Sequence, residues 1–170
     1  RVFSFEPQPK LAAYLQAMRA SLGLDHVRVE EMGISSKFGS EELFVPGSGP
    51  SPSATLVFPQ ESISGSTYDV RIESLDNYFK EKEGGPIRLI KVDVEGHELS
   101  VFRGAERILS EDRPTLIFEC ENRHHAHESI CTVFDFLEGL DFKGGYYFRG
   151  NFQPLSQFNE SEHQVSGKSP

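Results

Sequence analysis

Apolar positions along this chain change period several times, and each change marks an element. The run Val2-Phe3-Ser4-Phe5 opens as a short β-prone segment closed by Glu6 and Pro7. After Pro7 and Pro9 the spacing turns helical, with Leu11, Leu15, Met18 and Leu22 on one face and Gly23 as the stop. His26 to Glu30 reads as a second strand, and Met32-Gly33-Ile34-Ser35 as the loop that leaves it. Ser40 to Val45 predicts a short strand, after which Pro46 to Ser53 breaks all periodicity and predicts a surface loop. Tyr68, Val70 and Ile72 alternate with polar residues, as in an antiparallel edge strand with one wet face, and Ser74 is placed to cap a short helix through Leu75 and Phe79.

The second half is more apolar. Ile87 to Val94 is interrupted only by Arg88, Lys91 and Asp93, which predicts a central parallel strand buried on both faces. A helix follows with Leu99, Phe102 and Ile108 inward, then a buried strand over Pro114 to Cys120, and a helix marked by Ile130, Val133, Phe134 and Leu137. Tyr146 to Gln153, around Arg149-Gly150-Asn151, predicts a closing hairpin. Strands alternating with helices define an α/β fold: an open, mostly parallel sheet with helices on both faces and an antiparallel pair at its end. One domain is expected over residues 1–156, followed by a flexible tail over 157–170. Because the first residues read as a core strand with nothing before it, the domain is expected to be truncated at its N-terminus.

Composition narrows the classes. A chain of 170 residues can bury a core of its own. It shows neither the run of about 18 to 20 apolar residues that a membrane span needs nor a signal-peptide pattern. Seventeen Lys and Arg against 26 Asp and Glu give a net charge of -9, which argues against a nucleic-acid partner. Cys120 and Cys131 are too few for a disulfide framework, which is compatible with a reducing, cytoplasmic setting.

In open α/β sheets, ligands bind beyond the carboxyl ends of the strands. Attention therefore falls on Glu6, Glu31 to Gly33, Asp93 to His97 and Glu119 to Asn122. A carboxylate at the position of Glu6 can accept hydrogen bonds from ribose hydroxyls, although capping the turn before Pro7 fits it equally. Asp93, Glu95 and His97 lie at spacing two, so persistent extended structure would put them on one face as base, orienting groups or cation ligands. Helix capping by Glu95 and an exposed His97 is the competing reading. Asp93, closing a buried strand, requires a partner. In the stretch Arg123-His124-His125-Ala126-His127-Glu128, His125 and His127 lack the i, i+4 spacing of a helical ligand pair, so a solvated loop, with His124 able to touch substrate, is favoured over a metal site.

Five stretches carry a resemblance. V-F-S-F-E-P-Q-P at 2 to 9, S-L-D-N-Y-F at 74 to 79, I-K-V-D-V-E-G-H-E-L at 90 to 99, R-G-A at 103 to 105 and R-P-T-L-I-F-E at 113 to 119 resemble, in order and spacing, the FkbM family of S-adenosylmethionine-dependent methyltransferases. The likeness covers roughly residues 2 to 120 and is most specific in the I-K-V-D-V-E-G-H-E-L block. It implies a class I methyltransferase (Rossmann-like) fold, S-adenosyl-L-methionine as cofactor, and methyl transfer to a hydroxyl oxygen of a sugar or secondary metabolite. It further implies that Glu6 and Pro7 lie on the ribose side, Met32 and Gly33 on the adenine side, and Asp93 to His97 beside the sulfonium methyl. Asp93, His97 and Glu95 are then the catalytic candidates, with Asp93 also touching cofactor, and Glu119, Asn122 and His124 face the acceptor. The family's glycine-rich first motif does not occur in this sequence, so weak cofactor binding by this chain alone is expected. A non-catalytic binding domain on the same sheet competes with this reading, as does an NAD(P)-dependent oxidoreductase, which shares the ribose-binding acid.

Overall fold

The computed structural model describes residues 1–57, 63–81, 85–122 and 129–164. Its elements run β1 (Val2–Phe5), α1 (Pro9–Ser21), β2 (Val27–Glu30), β3 (Gly33–Ile34), β4 (Gly39–Pro46), β5 (Gly65–Glu73), α2 (Leu75–Tyr78) and β6 (Leu89–Val92). They continue with α3 (Glu98–Arg103), α4 (Glu106–Asp112), β7 (Thr115–Phe118), α5 (Cys131–Gly139), β8 (Gly145–Phe148), β9 (Asn151–Pro154) and α6 (Glu160–His163). The α/β class and the closing hairpin agree with the sequence pattern. Arg149 and Gly150, both at positive φ (49° and 77°), make the tight turn between β8 and β9.

The strands pair in four sets rather than in one continuous ladder. β1 lies parallel to β2 and β6 parallel to β7, while β5 runs between β3, parallel to it, and β4, antiparallel. Alternation in β5 correctly marks a wet face, but it says nothing about edges, and β5 turns out to be central to its set. A second difference concerns β6 and β7. Ile90, Leu116 and Phe118 pack on the main core, whereas Leu89 and Ile117 are 56% and 55% exposed. A run of apolar residues cannot reveal that only one of its faces is covered.

Phe102, Ile108 and Leu109 of α3 and α4, with Val133 and Leu137 of α5, form the centre of the main core. Leu43, Val45, Val70 and Ile72 make a smaller one between β4 and β5. The apolar stripe expected on α1 reaches inward only through Leu11, Ala12 and Leu15, since Met18 and Leu22 are exposed.

Three of the family-like stretches are mechanical joints. Gly104 separates α3 from α4, and a Cβ on it would lie 2.0 Å from the Ser35 carbonyl oxygen, so this position has no room for a side chain. Ser35 is itself fixed by its N–H to the Glu73 carbonyl at 2.9 Å. The Asp76 N–H donates to the Gly104 carbonyl at 2.9 Å, and the Asp76 carboxylate accepts from Arg107 N (2.7 Å) and Ile108 N (3.0 Å), satisfying the first N–H groups of α4. Ser74 caps α2 as expected, accepting from Asn77 N at 3.2 Å. Arg113 ends α4 in a left-handed conformation (φ 52°). Its guanidinium donates to the carbonyls of Leu140 and Asp141 and lies over the Phe142 ring.

The end of the chain differs from expectation as well. Instead of a flexible tail from residue 157, a 3-10 turn (Leu155–Gln157) leads into α6, and Phe158 meets Phe134 and Tyr146 edge-on, at centroid distances of 5.2 and 5.3 Å. These contacts are isolated aromatic pairs with no period to read. Residues 165–170 lie outside the described residues.

Because the obstacle at Gly104 is backbone rather than a movable side chain, Gly104→Ala should destabilise the fold by about 1 to 3 kcal/mol or more. Urea unfolding checks this: the midpoint should fall with an unchanged slope, and an unmoved midpoint would refute the joint.

Candidate active site at the carboxyl ends of the strands

Glu6 follows β1 directly. Pro7 and Pro9 pre-set the turn into α1, and the Gln8 N–H donates to Glu6 Oε1 at 2.8 Å. The carboxyl group is half-buried, and burial raises its pKa above the ordinary 4.5 despite the opposing hydrogen bonds from Gln8. Gln8 is 7% exposed and bonds Ser51 in both directions, Nε2 to the carbonyl and Oε1 from the N–H, each at 3.0 Å. The carboxylate that closes β2, Glu30, is already committed to Arg28 and to the Tyr78 hydroxyl, whose pKa rises to about 12 mainly through burial and then through this bond. That leaves Glu6 as the acid better placed for a ligand on this side.

Gly33 stands beside Pro7. A Cβ there would lie 3.7 Å from Pro7 Cβ, 3.4 Å from Ile72 and 3.6 Å from Leu56. Met32, expected to contact cofactor, is only 3% exposed, and Glu31 is the residue that this loop presents to solvent. A methionine following a strand reads equally well as loop or as core.

The I-K-V-D-V-E-G-H-E-L segment does not stay extended. β6 stops at Val92, and Glu95 (φ 52°) and Gly96 (φ 96°) both adopt left-handed backbone, so the two-residue period fails after Asp93. Thr55 Oγ1 donates to the Glu95 carbonyl at 2.8 Å, and Glu98 Oε1 accepts from Gly96 N at 3.1 Å. Asp93 is exposed and pairs with Lys91 at 2.7 Å. His97 turns the other way: its Nε2 shares a 3.0 Å hydrogen bond with Ser35 Oγ, beside the Gly104 joint. The charges that act on it are Glu41, Glu98 and Lys37, so the structure does not gather Asp93, Glu95 and His97 on one face.

Asp93 and Glu95 instead act on Glu119, at the end of β7. A hydrogen bond with Glu121 is the largest cause raising the Glu119 pKa above 4.5, followed by burial and the charges of Asp93, Glu121 and Glu95. Four carboxylates thus form an acidic rim across the ends of β6 and β7. Among the described residues, no group of three or more His, Cys, Asp or Glu is arranged to hold a metal ion. Asn122 follows, its N–H bonded to Gln164 Oε1 at 3.1 Å and its Nδ2 to Glu160. His124 and the histidines near it lie outside the described residues.

Sequence reasoning missed Gln8, Ser51, Thr55 and Ser35. The stretch from Ser51 to Thr55, part of a loop with no periodicity to read, bridges from Gln8 to Glu95. Its four-residue step spans at most roughly 14 Å, so the Glu6 and Glu95 ends of the site are close.

Comparison with known proteins settles the lineage. A family model described as Methyltransferase FkbM domain matches residues 1–146. The chain belongs to the FkbM methyltransferase domain family. Among solved structures it is similar to a methyltransferase FkbM from Methylobacillus flagellatus KT, with 17% identity and a TM-score of 0.59 over 91% of this chain and 35% of that one. That likeness shows a shared fold, and the FkbM-like chain here spans about a third of the relative's length. A search of curated proteins finds no match. Among the described residues, no helix of this FkbM domain is long and apolar enough to cross a membrane.

Burial is the main cause holding the His97 pKa below its ordinary 6.5; Glu41 and Glu98 oppose this and Lys37 adds to it. As pH falls, the unfolded chain takes the proton first. The stability associated with neutral His97 is therefore complete above about pH 6.5 and is lost as pH drops through the folded value. Replacing His97 by Gln should flatten this part of the stability–pH curve. Urea denaturation across a pH series measures it, and identical slopes in the two proteins would contradict a buried neutral imidazole.

Proposed function

We propose that this domain takes part in S-adenosyl-L-methionine-dependent O-methylation of a hydroxyl on a sugar or secondary metabolite that carries no negative charge. One observation carries the reading: in a member of the FkbM family, the half-buried Glu6 and the side-chain-free Gly33 stand at one end of the strand-end site and the acidic rim at the other. The donor set suits this cofactor. Glu6 is an acceptor for ribose hydroxyls, Pro7 and Gly33 offer a close apolar approach for a base, and the rim favours a positively charged ligand over an anion. When bound, the cofactor supplies an electrophilic methyl group on a sulfonium. Asp93 would take the acceptor's hydroxyl proton, and Glu119, its basicity raised by its neighbours, would be the second proton acceptor within the rim. Glu95 contributes charge and holds the turn, and Glu119 and Asn122 orient the acceptor. His97 serves as a strut that keeps this turn against Ser35. The acceptor's lack of negative charge follows from the same rim, which would repel a phosphate or carboxylate.

Calorimetric titration of S-adenosylhomocysteine into this chain, and into a version carrying its natural upstream sequence, tests the cofactor reading. Removing a charged hydrogen-bonding group costs about 1.5 to 3 kcal/mol, so Glu6→Ala should weaken binding roughly 10- to 150-fold. Asp93→Asn should abolish most turnover while leaving that affinity nearly intact. Folded proteins that give no heat in either version would end the assignment.

A further inference from the structure

The segment after β8 lies past residue 146, where the family match ends, yet it reaches the candidate acceptor side of the site. Glu160 of α6 accepts from Asn122 Nδ2 with one carboxylate oxygen. With the other it accepts from Ser129 Oγ at 2.7 Å, and it lies 3.7 Å from Cys131 Sγ. Gln164 accepts the Asn122 N–H at 3.1 Å and donates from Nε2 to the Cys120 carbonyl at 3.2 Å. Asn122 is thus fastened by backbone and side chain together. With one Nδ2–H committed to Glu160, the amide plane is set, and with it the direction of Oδ1.

A four-residue helix has almost no stability of its own. α6 stands because it is footed elsewhere: Asn159 caps it, accepting from Ser161 N at 3.1 Å, and His163 Nδ1 accepts from Asn159 N at 2.8 Å. The His163 ring packs on Tyr146 and Phe148, and Phe158 on Phe134. One end of this brace rests on the hairpin and α5, and the other ends on Asn122, three residues beyond Glu119.

We propose that α6 is a specificity element, in which Glu160 and Gln164 are positioning residues that hold Asn122 in the orientation by which the carboxyl end of β7 selects its hydroxylated acceptor. This rests on the reading of Glu119 and Asn122 as the acceptor side. Because the brace lies past the matched domain, it is a device by which this chain sets its acceptor independently of the cofactor end.

The test uses the full chain with its natural flanks, as wild type, Glu160→Ala, Glu160→Gln and Gln164→Ala. Release of S-adenosylhomocysteine is followed with a panel of uncharged glycosides and secondary alcohols. In Glu160→Ala the acceptor KM should rise about tenfold or more and the ranking of the panel should change, while the cofactor KM stays within about twofold. Glu160→Gln keeps an oxygen for Asn122 Nδ2 and should fall nearer wild type. Should Glu160→Ala fail to fold, Gln164→Ala carries the same expectation. An unchanged acceptor KM and ranking, or a parallel rise in both KM values, would overturn the proposal. A wild type that binds S-adenosylhomocysteine but turns over nothing in the panel would overturn it through the acceptor side, whereas a wild type that does not bind S-adenosylhomocysteine would instead remove the methyltransferase reading beneath it.

Discussion

The Ser35 carbonyl occupies the space that a side chain on residue 104 would need, and the arrangement of the molecule follows from that contact. On one side of it lies the three-stranded set, to which Ser35 is tied through Glu73; on the other lie α3 and α4. Asp76 closes the same joint by bonding the Gly104 carbonyl with its N–H and the start of α4 with its carboxylate. His97, at the start of α3, adds a bond to the Ser35 hydroxyl. The ends of β3 and β6 are therefore set against each other by a few short polar contacts around one glycine. Apolar packing crosses the joint as well, since Ile34 of β3 belongs to the main core with Phe102 and Ile108.

Of the left-handed non-glycine residues among those described, Glu95 lies where the chemistry is expected, and Arg113, Asp141 and Arg149 lie elsewhere. A non-glycine residue in left-handed backbone costs on the order of 1 to 3 kcal/mol and persists only where its surroundings over-determine it. Glu95 is such a residue, and its surroundings do so: Thr55 holds its carbonyl and Glu98, 2% exposed, holds the N–H of Gly96. The same turn sends Asp93 outward to the rim and His97 inward to the joint. The rim itself is a second cost, since like charges at the ends of β6 and β7 repel one another and, after the hydrogen bond with Glu121 and burial, add to the raised Glu119 pKa. A cationic ligand would relieve that repulsion, which is a physical reason for a protein of this charge to keep carboxylates so close.

Features with a local cause were legible in the sequence. The inward residues of α3 to α5, the Ser74 cap and the Arg149-Gly150 turn each depend on neighbours within a few positions. Glu6, Gly33, Asp93 and Glu119 are candidates for a different reason: the end of a strand is itself a location, so naming the strand names where a ligand is expected. What failed was whatever depended on distant partners. Period two assumed that β6 continued to His97, and it stops at Val92. Gln8, between Pro7 and Pro9, carries no local signal, because its partner Ser51 is remote in sequence. The open face of β6 and β7 and the aromatic footing of α6 belong to the same group.

The block I-K-V-D-V-E-G-H-E-L shows how a family signature divides when read in three dimensions. Ile90, Val92 and Leu99 belong to the core, Gly96 serves the turn, and His97 and Glu98 hold that turn in place. Of its charged residues, Asp93 and Glu95 are the ones that act on Glu119 across the strand ends. R-G-A and S-L-D-N-Y-F divide further still toward mechanics, since Gly104 and Asp76 act within the joint. A signature of this kind identifies a fold with great specificity because most of its letters are struts. The chemistry that distinguishes one member from another must then be sought in the few residues left over, and in segments such as α6 that lie past the end of the matched domain.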